Sequence, residues 1–277
     1  MEEPEERSET AETIEVGDRA IGVRRLGSGP PLVVVNGYAA TNLDWDPAFL
    51  TALARECGSD LICPDNRGMG FSPLGTDPGA ISADSMAADV LAVLDALGVD
   101  SAPVLGWSMG GFVAQALALA APERVESLIL LATDPGAGAV LCGGDTWRLL
   151  TDHSGTPREQ ASRLISLLFP PGVAEPIDAE FGELVAAARA KLDPAALSAQ
   201  ERAMRSWHDE RDLSALASVP TLAATGTRDV VIPPPNAGLI AARSPDSWLA
   251  HFPGCGHAFM AQEPERVATL IATFLGR

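Results

Sequence analysis

A serine stands at the centre of the segment Gly106-Trp107-Ser108-Met109-Gly110, which has the spacing Gly-x-Ser-x-Gly. An apolar run leads into this segment, and an alanine-rich stretch with helical spacing follows it. A serine on a sharp turn between a strand and a helix presents its hydroxyl above the sheet, and the flanking glycines avoid collisions with neighbouring elements. The pattern therefore predicts that Ser108 is a nucleophile.

A serine hydroxyl is a weak nucleophile at neutral pH, so it needs an imidazole that accepts its proton and a carboxylate that orients the imidazole. The chain has four histidines. His257 alone follows the last predicted strand on a loop, whereas His251 falls inside that strand, and His153 and His208 fall in a region without strands. We therefore predict that His257 is the general base.

Short apolar runs alternate with longer amphipathic segments, a rhythm typical of a mostly parallel sheet flanked by helices. An antiparallel hairpin, 13–16 and 20–25, is predicted to come first. Further strands are predicted at 32–36, 60–64, 102–107, 127–132, 221–226 and 247–252, and helices at 46–57, 82–97, 109–121 and 264–275. The sequence thus predicts an α/β fold with eight strands.

The segment between the sixth and seventh predicted strands has no strand signal. It contains helical stretches broken by glycine and proline, and its leucines, Trp147, Phe169 and Trp207 supply too much apolar surface for a disordered loop. We therefore divide the chain into an acidic flexible tail at 1–13, an α/β core at 14–134 and 215–277, and a helical cap at 135–214.

The formal net charge is -18, and Lys191 is the only lysine. An acidic surface repels phosphate backbones and anionic lipids, so we expect neither nucleic acid nor membrane as a partner. No targeting segment or apolar run of membrane-spanning length is visible, which predicts a cytoplasmic protein. Four cysteines lack zinc-site spacing, so no metal is expected. A homo-oligomer is compatible with this composition.

Three further motifs accompany the serine segment. Residues 65–72 read DNRGMGFS, residues 226–233 read GTRDVVIP, and residues 254–257 read GCGH. They are similar to the DxRGxGxS turn, the GxxDxxxP acid turn and the GxGH histidine loop of the α/β-hydrolase superfamily. The chain resembles this superfamily from about Ile14 to Arg277, and among its cap-bearing members it looks most like bacterial enol-lactonases, cofactor-free haloperoxidases and small-ester esterases.

The resemblance implies that Asp229 orients His257, because Asp229 occupies the aspartate position of the acid turn. Asp134 remains an alternative, because it directly follows the sixth predicted strand, where some relatives carry the acid. Cys255 is a second candidate nucleophile beside His257, although we interpret it as structural.

The resemblance also implies an oxyanion hole formed by the backbone amides of Tyr38 and Met109. The segment Asn36-Gly37-Tyr38 stands where the family usually has histidine, glycine and a variable residue, so Asn36 departs from the pattern. An amide side chain can brace the loop as the histidine does. We expect Tyr38, Met109, Trp147 and Phe259 to line the substrate pocket.

These features predict a serine hydrolase that cleaves a small carboxylic ester or lactone through an acyl-enzyme, without a cofactor. Two alternatives remain open. The same triad supports perhydrolysis in cofactor-free haloperoxidases, and some proteins of this fold are ligand receptors with little turnover. Turnover of model esters would argue against a receptor.

A helical cap above the serine favours compact, mainly apolar acyl groups over long lipids or peptides. The net charge of -18 disfavours dicarboxylates at long range. Arginine in the cap is the counter-argument, because one guanidinium turned inward could bind a carboxylate through two hydrogen bonds. The seven cap arginines are Arg148, Arg158, Arg163, Arg189, Arg202, Arg205 and Arg211.

Overall fold

One sheet organises the chain in the computed structural model, which describes residues 12–17 and 19–277. Its strands are β1 Glu12–Val16, β2 Arg19–Gly27, β3 Pro31–Val35, β4 Asp60–Pro64, β5 Ala102–Trp107, β6 Val125–Leu131, β7 Thr221–Gly226 and β8 Trp248–Phe252. They are ordered β1-β2-β4-β3-β5-β6-β7-β8. All pairs from β4 to β8 are parallel, while β1–β2 and β2–β4 are antiparallel. The predicted fold class is confirmed, and each strand boundary falls within two residues of its prediction.

The boundary of the acidic tail needs a correction. The predicted tail covers residues 1–13, but Glu12 and Thr13 belong to β1, where they pair with Val23 and Gly22 of β2. The strand itself is predicted at 13–16, and only its first residue, the exposed Glu12, is assigned to the tail alone. Residues 1–11 of the predicted tail lie outside the described residues.

Ten α-helices surround the sheet in the described part of the chain. They are α1 Pro47–Cys57, α2 Ala83–Leu97, α3 Met109–Ala120, α4 Gly144–Leu150, α5 Pro157–Leu168, α6 Pro171–Arg189, α7 Pro194–Trp207, α8 Pro235–Ala241, α9 Phe259–Gln262 and α10 Pro264–Phe274. In the described residues, none of them has the length and apolar character needed to cross a bilayer.

The side chains of the central strands alternate between two hydrophobic layers. In β3, Leu32 and Val34 face the layer formed with α1, α9 and α10, whereas Val33 and Val35 face the layer formed with α2, α3 and α8. This alternation follows from the two-residue period of a strand. Both faces of the sheet are therefore covered, and the carboxyl ends of β3 and β5 to β8 meet at one edge.

The helices α4 to α7 lie between β6 and β7, and we call them the cap helices. The helix α7 reaches the core, because Trp207 is buried and stacks on Phe112 of α3 with ring centroids 5.4 Å apart. At the same place, Gly136 has a φ of +84°, and a Cβ there would lie 3.1 Å from the Trp207 carbonyl oxygen. The loop after β6 is thus closely fitted to the end of α7.

An aspartate and a histidine join these two segments. Asp134 follows β6, and its Oδ2 lies 3.0 Å from Nε2 of His208 at the end of α7. The other carboxylate oxygen accepts the amide of Gly136 at 2.8 Å. The hydrogen bond to Asp134 raises the pKa of His208, an effect that burial opposes and that the charges of Asp134 and Asp209 reinforce. The pair therefore holds the cap helices to the core most strongly when His208 is protonated.

We predict that His208→Gln lowers stability in a pH-dependent way. Because the folded-state pKa of His208 exceeds its ordinary value of 6.5, its ion pair stabilises the fold fully below that value. The contribution is lost as the pH rises through the folded-state pKa. Urea unfolding at several pH values should show a wild-type advantage near about pH 6 that narrows at higher pH.

The control for this measurement is His251→Gln, because His251 lies exposed in β8. This variant should follow the wild-type curve. A gap between wild type and His208→Gln that stays constant with pH would show that the pair carries no charge-dependent stabilisation.

Candidate active site

Ser108 occupies a strained turn between β5 and α3. Its φ of 55° and ψ of -122° are unusual for a residue with a side chain. The turn needs both flanking glycines. A Cβ on Gly106 would lie 2.2 Å from the Gly110 carbonyl oxygen, and a Cβ on Gly110 would lie 2.2 Å from that of Val35. The physical reason for the Gly-x-Ser-x-Gly spacing is therefore close backbone approach on both sides of Ser108.

Hydrogen bonds hold this strained conformation. The Ser108 amide donates to the Leu131 carbonyl at 3.0 Å, so the turn continues the pairing of β5 with β6. The Ser108 carbonyl accepts the Thr133 hydroxyl at 2.8 Å and the Gly111 amide at 2.9 Å. The surrounding structure thus fixes the backbone that carries the hydroxyl.

His257 and Asp229 meet at the same edge of the sheet. Nδ1 of His257 lies 2.8 Å from Oδ2 of Asp229, and the two side chains are 3% and 0% exposed. Oδ1 of Asp229 accepts the amides of Val231 at 2.8 Å and Ile232 at 2.9 Å. A carboxylate held in this way fixes the tautomer with the proton on Nδ1, which leaves Nε2 able to accept a proton.

The loops that carry these two residues touch through a glycine. A Cβ on Gly226, at the end of β7, would lie 2.3 Å from the carbonyl oxygens of both Cys255 and Gly256. The Arg228 amide donates to the Cys255 carbonyl at 2.8 Å, and the Gly254 amide donates to the Thr227 hydroxyl at 2.9 Å. The close approach of the acid turn to the histidine loop therefore explains Gly226.

Trp107 connects the serine turn to the histidine loop. Its indole Nε1 donates to the His257 carbonyl at 3.1 Å, and the Trp107 and His257 rings lie 5.3 Å apart between centroids. Within the described residues, no hydrogen bond joins the Ser108 hydroxyl to His257. Such bonds are commonly long in unliganded enzymes and tighten when substrate binds.

The two alternatives from the sequence occupy other environments. Asp134 bonds to His208, not to His257, and is engaged in the contact with the cap helices. Cys255 is buried, and burial raises the pKa of its thiol, which disfavours the reactive thiolate. Across the described residues, no three histidine, cysteine, aspartate or glutamate side chains cluster as a metal-binding group.

The loop after β3 supplies the second backbone amide at the site. Among the described residues, the amides of Tyr38 and Met109 have no hydrogen-bond acceptor. A Cβ on Gly37 would lie 3.3 Å from Cβ of Ser108, so this loop packs directly against the serine turn. Two unpaired amides beside the nucleophile position have the character of an oxyanion hole.

Asn36 braces this loop. Its Oδ1 accepts the Gly37 amide at 2.9 Å, and its Nδ2 donates to the Thr41 carbonyl. The backbone carbonyl of Asn36 accepts Nδ2 of Asn66 at 2.9 Å, which links the loop to the turn after β4. An asparagine thus ties both ends of the loop in the place where the family commonly has histidine.

The cap helices hold the same loop from above. The Tyr38 hydroxyl donates to Oε1 of Glu201 at 2.8 Å and lies 3.2 Å from Nε2 of His153, which is itself 2.8 Å from that oxygen. The Ala39 amide donates to Oε1 of Gln200 at 3.0 Å. Burial, more than the charge of Glu201, raises the pKa of Tyr38. Sequence reasoning missed these cap residues because no motif marks them.

A second part of the cap covers the histidine loop. The Ala258 amide donates to the Leu168 carbonyl at 3.1 Å, and a Cβ on Gly256 would lie 2.6 Å from the same oxygen. The end of α5 therefore packs against the residues on both sides of His257. The cap helices contact both loops on which the candidate site depends.

The four residues predicted to line the pocket differ in burial. Phe259 is 0% exposed and stacks on Phe252 at 4.9 Å in the layer of α1 and α10. The side chain of Met109 is buried in the opposite layer. Both pack in the core, and their contact with a substrate stays a prediction. Tyr38 and Trp147 are only partly buried. Cζ of Arg205 lies 5.3 Å from the ring centroid of Trp147.

Comparison with known proteins agrees with this architecture. The model of the alpha/beta hydrolase fold family matches residues 30–264. The provisionally named carbamate hydrolase RutD of Azorhizobium caulinodans is 32% identical over 264 residues, which cover 94% of this chain and 96% of that protein. Pimeloyl-[acyl-carrier protein] methyl ester esterase of Aeromonas hydrophila is 26% identical over 288 residues, which cover 93% of this chain and 100% of that protein.

A solved structure extends this similarity to the whole fold. A hydrolase from Pseudomonas aeruginosa PA01 is 29% identical with a TM-score of 0.78, and the match covers 96% of this chain and 98% of that chain. The family match spans most of the chain, from before β3 to the start of α10. The chain therefore belongs to the α/β-hydrolase fold family.

Proposed function

We propose that this protein is a serine hydrolase of a small carboxylic ester or lactone. The observation that carries the proposal is the buried hydrogen-bonded pair of His257 and Asp229 beside the strained backbone of Ser108. Nδ1 of His257 and Oδ2 of Asp229 are 2.8 Å apart. A structural histidine would not need a carboxylate whose second oxygen is fixed by two backbone amides. The relative that is a methyl ester esterase adds support for an ester substrate.

The reaction follows from the arrangement of these groups. Oγ of Ser108 attacks the substrate carbonyl carbon while Nε2 of His257 accepts the hydroxyl proton, and Asp229 stabilises the imidazolium. The carbonyl oxygen becomes an oxyanion that the amides of Tyr38 and Met109 stabilise. Collapse of this intermediate expels the alkoxide, which takes the proton from His257. Water then attacks the acyl-enzyme by the same route and releases the acid and Ser108.

We predict that Ser108→Ala abolishes ester turnover and leaves the fold intact, because alanine lacks only the hydroxyl. Hydrolysis of a panel of methyl esters, lactones and carbamates by the purified protein measures this effect. An organophosphonate should add once per chain, and peptide mass spectrometry should locate it at Ser108. Addition at Cys255, or wild-type protein that turns over no substrate of the panel, would contradict the proposal, and the latter would favour a receptor.

We predict that Asp229→Asn lowers kcat by several orders of magnitude, because the asparagine cannot stabilise the imidazolium or hold the tautomer. The analogous change in a serine protease costs about 10⁴-fold. The matched control is Asp134→Asn, which changes a carboxylate at the same sheet edge that bonds to His208 instead. It should cost far less. A larger loss in Asp134→Asn would assign the orienting role to Asp134.

A further inference from the structure

The loop between Asn36 and Thr41, which we call the oxyanion loop, is anchored to the core at its two ends. At one end, Nδ2 of Asn36 donates to the Thr41 carbonyl. At the other end, the amide and the hydroxyl of Thr41 donate to Oδ2 of Asp44 at 2.6 and 2.9 Å. Between these anchors, Tyr38 and Ala39 make no hydrogen bond to the core among the described residues. The centre of the loop, which carries the candidate donor amide, therefore depends on other contacts.

Two adjacent residues of α7 supply these contacts. Oε1 of Gln200 accepts the Ala39 amide at 3.0 Å. Oε1 of Glu201 accepts the Tyr38 hydroxyl at 2.8 Å. Nε2 of His153 lies 2.8 Å from the same Glu201 oxygen, which holds the carboxylate in place. Because a hydrogen bond to a carboxylate is stronger than one between neutral groups, the ring of Tyr38 is firmly held from the cap.

Gln200 is buried and uses both ends of its side-chain amide. It is 0% exposed, and its Nε2 donates to the Arg67 carbonyl at 3.1 Å in the turn after β4. The helix α7 is closely seated at this place, since a Cβ on Gly68 would lie 2.5 Å from Cβ of Ala196. One buried amide thus joins two core loops to the cap.

The backbone of Ala39 explains why the oxyanion loop needs this support. Its φ is +57°, in the left-handed region that a residue with a side chain seldom adopts. Such a conformation persists only where surrounding contacts hold it, and the bond from the Ala39 amide to Gln200 is such a contact. With the ring of Tyr38 and the following peptide both held, the Tyr38 Cα has a fixed place. The Tyr38 amide therefore keeps one direction between that point and the Asn36 anchor.

We propose that Gln200 and Glu201 are positioning residues that complete the oxyanion hole from the cap. The inference rests on the proposed hydrolase function. Each side chain acts through the oxyanion loop, by aiming the Tyr38 amide at the oxygen on which negative charge develops. A donor placed in this way stabilises the tetrahedral intermediate more than the bound ester. Loss of the support should therefore lower kcat and leave KM nearly unchanged.

The test measures hydrolysis of p-nitrophenyl butyrate by Glu201→Ala and Gln200→Met. Each variant should lose about 10- to 100-fold in kcat, because the donor amide is displaced, whereas deletion of such a donor costs about 10²- to 10³-fold. KM should stay within about twofold. Glu201→Gln should recover most of the kcat lost in Glu201→Ala, because its amide oxygen can still accept the Tyr38 hydroxyl.

Two ketones of equal chain length separate binding of the intermediate from binding of the substrate. With butyl trifluoromethyl ketone, Oγ of Ser108 bonds to the carbonyl carbon, the hydroxyl proton passes to His257, and the ketone oxygen becomes an oxyanion. Butyl methyl ketone occupies the site without this addition. The inhibition constant of the trifluoromethyl ketone should rise in both variants by about the factor lost in kcat, and that of the methyl ketone should not change. Fluorine NMR shows the adduct directly.

Arg202→Met is the matched control, because Arg202 lies next to Glu201 on α7 and donates to a different core segment, the Pro78 carbonyl, at 3.2 Å. It should change neither kcat nor inhibition by the trifluoromethyl ketone. Where Gln200→Met does not fold, Glu201→Ala is decisive, since Glu201 is only partly buried. A loss confined to KM, or no loss, would overturn the inference and leave the hydrolase function standing. Wild type that neither hydrolyses the ester nor forms the adduct would overturn both.

Discussion

The structure depends on the close approach of backbones around Ser108. The serine has a positive φ because β5 must turn directly into α3, and Gly106 and Gly110 allow this only by having no side chain against the neighbouring carbonyls. The strain of such a residue is of order 1–3 kcal/mol and must be compensated by surrounding contacts. The Leu131 carbonyl and the Thr133 hydroxyl supply them. The sheet therefore acts as the rigid support of the nucleophile.

The same constraint recurs at the two loops beside the serine. Gly37 brings the loop after β3 within contact of Ser108, and Gly226 brings the acid turn against the histidine loop. A Cβ on Gly226 would collide with backbone carbonyl oxygens, and a Cβ on Gly37 would crowd Trp107 and Ser108. The parallel strands bring these loops to one edge, because the carboxyl ends of β3, β5, β7 and β8 lie side by side in that order with β6 between them. The close approaches that shape this edge of the fold therefore also shape the candidate site.

Much of this could be predicted from the sequence because the determinants are local. The signals that mark Ser108 lie within about a dozen residues of it: an apolar strand, glycines at fixed offsets and a following helix. Asp229 is likewise marked by an apolar strand and a glycine close to it in sequence. The cap contacts could not be predicted in this way. The hydrogen bond from Tyr38 to Glu201 joins residues 163 positions apart, and nothing near either residue marks it. The stacking of Phe259 on Phe252 could not be predicted either, because adjacency to His257 in sequence does not tell which side of the sheet a side chain faces.

The cap also changes how the charge of the protein should be understood. A net charge of -18 describes the field far from the surface, where salt screens it within about 10 Å. Within the cap, the relevant quantity is the local pairing of each arginine, and most of the guanidiniums are neutralised or exposed. Arg189 is buried and has no carboxylate partner in the described residues, whereas the Glu201 carboxylate accepts the Tyr38 hydroxyl and Asp44 adds a second negative charge nearby. The net charge therefore does not determine the field inside the cap, which depends on how each charged side chain is paired there.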